Sequence, residues 1–119
     1  MKNYLLIGFL TLAQVVFGQF KTQKIGTFKS MDSSKAVLVD VRTPSEFREG
    51  HLEGAVNMDW LDPSAFGAKI KDIPKNKVVY VYCKAGGRSL QAAQKLDSLG
   101  YQVINLSGGY DAWTERQRP

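Results

Sequence analysis

The 119-residue chain has one cysteine, Cys83, so no disulfide can form within it, and one histidine, His51, so no zinc site of several cysteines and histidines can be assembled. The Cys83 sulfur must therefore be free, either inert in a core or reactive. Like charges never run to five or six in a row. Sixteen lysines and arginines are scattered among eleven acidic residues, which argues against a tail for nucleic acid or lipid and leaves a solvated basic surface with formal net charge +5. No apolar run reaches the roughly twenty residues that a membrane-crossing helix needs. Repeats, low-complexity tracts and Pro/Gly/Ser-rich linkers are missing between residues 20 and 119, so this stretch is expected to form one domain.

The N-terminal residues carry a different signal. Lys2 gives a positive start, Tyr4 to Phe17 is a mostly apolar run broken by Gln14, and Val16-Phe17-Gly18 offers small or slender residues for cleavage. Residues 1–18 are expected to be a secretory signal peptide, with export to the periplasm or outside and no membrane attachment after its removal. Lys2 is the one charge in that segment, so cleavage would take the net charge from +5 to +4.

Beyond it, short β-like runs alternate with helical ones. Ala36-Val37-Leu38-Val39-Asp40-Val41 and Val78-Val79-Tyr80-Val81-Tyr82 are continuous aliphatic and aromatic runs, the pattern of strands covered on both faces. Gln102 to Leu106 is a third candidate, and Gly54 to Asn57 a shorter one. Thr43-Pro44-Ser45-Glu46 places a capping hydroxyl, a proline at the first helical position and a glutamate three residues after the cap; Gly50 is the expected stop. Between Arg88 and Leu99, the spacing of Leu90, Ala93, Leu96 and Leu99 predicts a helix buried along that line, closed by Gly100. Asp62-Pro63 reads as another capped start, and Gly109 to Trp113 as the opening of a terminal helix. The alternation predicts an α/β fold: a central parallel sheet with helices on both faces.

Cys83 falls just after a predicted strand, where open α/β sheets place their ligands. The following Lys84-Ala85-Gly86-Gly87-Arg88 combines two glycines, whose amides can curl into an anion-binding nest, with a helix start and two cations. These features favour a thiolate over a thiol, so Cys83 is expected to be nucleophilic and open to solvent.

Four ordered motifs carry a resemblance: Leu38-Val39-Asp40-Val41-Arg42, Glu46 through Asn57, Tyr82-Cys83-Lys84-Ala85-Gly86-Gly87-Arg88-Ser89, and Leu106 through Trp113. Together they resemble the rhodanese-like domain over roughly residues 20 to 119. The resemblance implies a single-domain sulfurtransferase in which Cys83 accepts sulfane sulfur as a persulfide and Lys84, Ala85, Gly86, Gly87 and Arg88 cradle it. It implies no metal or organic cofactor. The implied partners are a small anionic sulfur donor such as thiosulfate and a thiol or cyanide acceptor, with a protein acceptor also possible; a monomer is expected.

Asp40 and Arg42, at the end of the neighbouring strand, are expected to pair with the loop or with Glu46 and set its shape, although Arg42 could instead reach substrate. His51 is expected to pack and hydrogen-bond rather than act as a base. Gly108-Gly109 reads as a turn, Trp113 as a core anchor, and Trp60 as pocket wall or core. Two other functional classes remain. Cysteine-dependent phosphatases need five residues between cysteine and arginine to surround phosphate, and here there are four. A non-catalytic persulfide carrier or interaction module would use the same loop without efficient turnover.

Overall fold

The computed structural model describes residues 20–116, so the expected signal peptide lies outside the described residues. The two aliphatic runs form the middle of the sheet as β2 (Ala36–Asp40) and β4 (Val78–Tyr82). They pair in parallel, with Leu38 opposite Tyr80 and Asp40 opposite Tyr82. Two further strands, β3 (Val56–Asn57) and β5 (Gln102–Ser107), flank them, and β1 (Lys21–Lys24) lies on the far side of β5. The order β1-β5-β4-β2-β3, parallel at every pairing, follows from helices carrying the chain back over the sheet.

Period-two alternation divides the strand residues between two layers. Val39, Val79, Val81 and Val103 face Phe66 and Ile70 of α2 (Pro63–Ile70) and Ala92, Ala93 and Leu96 of α3 (Gly87–Ser98). On the opposite face, Leu38, Tyr82 and Leu106 meet Ile25, Phe28 and Leu52, with Tyr110 and Trp113 of α4 (Gly109–Arg116) packed against them. Helices thus cover both faces, as expected. Trp113 is a half-buried member of the second layer, while Trp60 packs on the first, edge-on to Phe66.

The first helix, α1 (Pro44–Glu49), starts as the sequence predicts: Thr43 Oγ1 accepts from the Glu46 amide, and Glu46 Oε1 accepts from the Thr43 amide at 3.1 Å. Residue 100 closes α3 in a Schellman arrangement, with the Gly100 amide on the Asp97 carbonyl and the Tyr101 amide on that of Leu96.

One expectation is corrected, and one strand is new. The buried stripe of α3 is Ser89, Ala92, Ala93 and Leu96, whereas Leu90 is 43% and Leu99 38% exposed. Successive three-residue steps drift around an α-helix, so Leu90 and Leu99 fall about half a turn apart, on opposite flanks of the buried stripe. Strand β1, Lys21-Thr22-Gln23-Lys24, carries no apolar alternation. It is a short, mostly exposed edge strand, the place where lysines are tolerated because they discourage pairing with another chain.

Tyr82 ties the second layer to the segment after α1. Its ring is buried, its hydroxyl accepts the Leu52 amide at 3.0 Å, and burial pushes its ionisation well above the ordinary phenol range. Tyr82→Phe leaves that buried amide without a partner, so a loss of about 1–2 kcal/mol is expected in urea unfolding; an unchanged midpoint would contradict this role.

Candidate active site

Cys83 stands at the carboxyl end of β4, between the last strand residue and the first turn of α3. The Gly86 amide donates to its Sγ at 3.0 Å, and Sγ lies 3.5 Å from the hydroxyl of Ser89, which is itself near the Gly86 carbonyl at 3.3 Å. Gly86 adopts φ +127°, a conformation that residues with a side chain resist, where the chain turns from the loop into α3. The next amides, of Gly87 and Arg88, open α3 and have no partner within that helix.

The loop is gripped from behind. Tyr110 and Asp111, in the first turn of α4, donate their amides to the Cys83 carbonyl at 2.7 Å and the Lys84 carbonyl at 3.0 Å. Helix α4 thereby satisfies two of its own terminal amides and points the loop carbonyls away from the sulfur. Gly109 makes this approach possible. It has φ +65°, and an added Cβ would lie 2.5 Å from the Cys83 oxygen and closer still to that of Lys84. The predicted Gly108-Gly109 turn is therefore also a clamp.

Access to the sulfur differs from expectation. Cys83 is only 1% exposed, because Gly86 and Ser89 close over Sγ and the side chain belongs to the layer beneath α3. Lys84, Ala85 and Gly87 lie on the exposed outer side of the loop.

Both loop cations have carboxylate partners. Arg88 Nη1 and Nη2 reach Glu46 Oε1 and Oε2 at 2.8 and 3.0 Å, a two-pronged pair, while Lys84 Nζ meets Asp111 at 2.8 Å on the exposed surface. Hydrogen bonds from Arg88, helped by the Thr43 amide and hydroxyl, hold the Glu46 carboxyl down at about 2 against the effect of burial. This folded-state value lies below the ordinary 4.5, so the stabilisation is complete above that pH and fades as pH falls towards 2. Wild-type protein should therefore lose more of its urea midpoint between pH 6 and pH 3 than Glu46→Gln does; equal losses would contradict the pairing.

Asp40 and Arg42 are both buried and bind each other. Arg42 Nη2 lies 2.6 Å from Asp40 Oδ2 and 2.7 Å from the Gly50 carbonyl, and its guanidinium stacks 4.3 Å from the Tyr110 ring. The pair therefore supports α1 and α4, the two elements that hold Arg88 and the Cys83 carbonyl. His51 donates from Nδ1 to the Phe47 carbonyl at 2.7 Å and stacks on the Phe47 ring, hydrogen-bonded as expected but at the surface. Sequence reasoning missed Ser89 as a neighbour of the sulfur and missed the Glu46 and Asp111 pairings. Ser89 sits three residues into a helix whose cap faces Cys83, a spacing that pointed to it.

Both the sequence and the fold have counterparts among known proteins. The Rhodanese-like domain model matches residues 27–116. The chain belongs to the rhodanese-like domain family. A sulfurtransferase of Allochromatium vinosum is 37% identical over 89 residues, covering 74% of this chain and 80% of that one. A chloroplastic thiosulfate sulfurtransferase of Arabidopsis thaliana is 35% identical, covering 68% of this rhodanese-like chain and 76% of the plant protein. In three dimensions, a rhodanese-related protein of Thermoplasma volcanium superposes with a TM-score of 0.71 at 25% identity, covering 84% of this chain and 96% of its own. The family is thus one with sulfurtransferase members, and its fold is the five-stranded parallel sheet described above.

Proposed function

We propose that this rhodanese-like chain is a sulfurtransferase that carries sulfane sulfur on Cys83. The observation that carries the reading is the Gly86 amide 3.0 Å from Sγ, at a strand end and a helix start where negative charge is favoured. In the first step, the Cys83 thiolate attacks the outer sulfur of a donor such as thiosulfate. A bond forms between Sγ and that sulfur, the old sulfur–sulfur bond breaks, and sulfite leaves with the electron pair. In the second, cyanide or a thiolate attacks the outer sulfur of the persulfide, giving thiocyanate or a new persulfide and regenerating the Cys83 thiolate. Splitting one transfer into two is the advantage of a covalent intermediate. Because Cys83 is covered, the Lys84–Gly87 segment must move aside for each step; its exposed residues and two glycines support such a movement.

The burial of Cys83 also supports a second reading, a persulfide carrier that exchanges sulfur only when a protein partner opens the loop. Steady-state kinetics with thiosulfate and cyanide separate the two. An enzyme gives parallel double-reciprocal lines and many turnovers, whereas a carrier loads one sulfur per chain and then stops. A phosphatase reading is disfavoured by the four-residue spacing and by Glu46 engaging Arg88. We place the reaction outside the cytoplasm on the strength of the signal-like first eighteen residues, and as a monomer.

A further inference from the structure

Glu46 serves more than the start of α1. Both of its oxygens engage Arg88, and Oε1 also accepts from the Thr43 amide and hydroxyl at 3.1 and 3.0 Å. Arg88 stands in the first turn of α3, the helix that starts behind Cys83, and a charged Cys83 sulfur adds to the forces keeping it protonated. Unpaired, it would draw anions towards the sulfur. The cleft of about 310 Å³ beside the loop continues the theme, since Glu46, Glu49 and Asp111 outnumber Arg42 and Lys84 on its walls although the whole chain is basic.

We propose that Glu46 sets the charge selectivity of this site: by clamping Arg88 it weakens the attraction for anionic sulfur donors, and does so in proportion to donor charge. The inference rests on the sulfurtransferase reading and adds a specificity role to a residue that touches no reacting atom.

Two donors that share one chemistry test it. Thiosulfate is a dianion and releases sulfite; benzenethiosulfonate is a monoanion and releases benzenesulfinate. Each leaves its outer sulfur on Cys83 as a persulfide anion. Glu46→Gln keeps the side-chain length and the capping capacity while removing the charge. Coulomb energy scales with donor charge, so kcat/KM should rise roughly tenfold for thiosulfate and roughly threefold for benzenethiosulfonate. The gain should appear in KM, with kcat held within about twofold, and should shrink as salt is added. Both donors meet the same thiolate, so their ratio cancels any change in loop geometry or ionisation.

In an Arg88→Met background, Glu46→Gln should lose this discrimination, as a role acting through Arg88 requires. Arg88→Met alone should produce the mirror image, raising the thiosulfate KM more than that of the monoanion, which keeps the test open should Glu46→Gln fold poorly. Equal changes for the two donors, a fall for thiosulfate, or a gain that persists without Arg88 would overturn the selectivity role. If wild-type protein takes sulfur from neither donor, the sulfurtransferase reading itself fails and the selectivity role falls with it; loading from both with an unmoved ratio removes the selectivity role alone.

Discussion

Cys83→Ser is expected to lower thiocyanate formation from thiosulfate and cyanide by about a thousandfold or more while leaving the fold in place. Serine fits the same space, and its hydroxyl can still accept the Gly86 amide that now reaches Sγ at 3.0 Å. What it cannot do is hold a second sulfur, and a hydroxyl is far less ionised than a thiol near neutral pH. No other cysteine exists in the chain to take over. The check has two parts: the initial rate of thiocyanate formation, and a urea unfolding midpoint expected within about 1 kcal/mol of wild type. A variant that keeps more than a tenth of the rate would show that the sulfur is carried elsewhere.

Gly109→Ala should damage stability and activity together, although the residue lies 26 positions from the cysteine. At φ +65° an alanine pays a backbone penalty, and its Cβ would press into the carbonyls of Cys83 and Lys84. Either α4 retreats or those carbonyls rotate. In both cases the bonds from the Tyr110 and Asp111 amides are lost or stretched, and the loop amides lose their aim at the sulfur. A loss of about 2–4 kcal/mol is expected, combining left-handed backbone strain with overpacking. The rate of sulfur transfer should fall by at least roughly tenfold even at temperatures where the variant remains folded, because misplaced donors are costly to a reaction that depends on them. Gly67→Ala is the control: it lies within α2, meets nothing within 4 Å and has no positive φ, so it should be neutral or slightly stabilising. Similar losses at the two positions would contradict the clamp.

The fold was legible wherever local patterns and tertiary environment agree. Strands β2 and β4 are continuous aliphatic runs because both faces of a central parallel strand are covered, and the Thr43–Glu46 capping box is a contact between near neighbours. Where they disagree, the reading failed. Strand β1 is polar because its side chains are largely exposed on both faces, so it has no buried face to mark it. Leu90 lies about a third of a turn around the helix from Leu96, so it falls on the flank of the buried stripe and points outward.

The site divides in the same way. The strand, the cysteine, the glycines and the helix start are contiguous, so their assembly could be read directly. Partners of the loop cations could not, because Glu46 is 42 residues from Arg88 and Asp111 is 27 from Lys84. Taken alone, Lys84 and Arg88 argue for strong attraction to anionic donors; with their carboxylates in place, much of that attraction is compensated. The covering of Cys83 was equally invisible, since it depends on Gly86 and Ser89 folding over the sulfur.

Intact-protein mass spectrometry after brief exposure to thiosulfate tests the central claim most directly, because it reads the sulfur on the chain rather than the product in solution. Wild-type protein should gain the mass of one sulfur atom, located at Cys83 by fragmentation and removed by cyanide, and Cys83→Ser should gain none. A wild-type chain that gains no sulfur, or gains it equally when Cys83 is serine, would contradict the account.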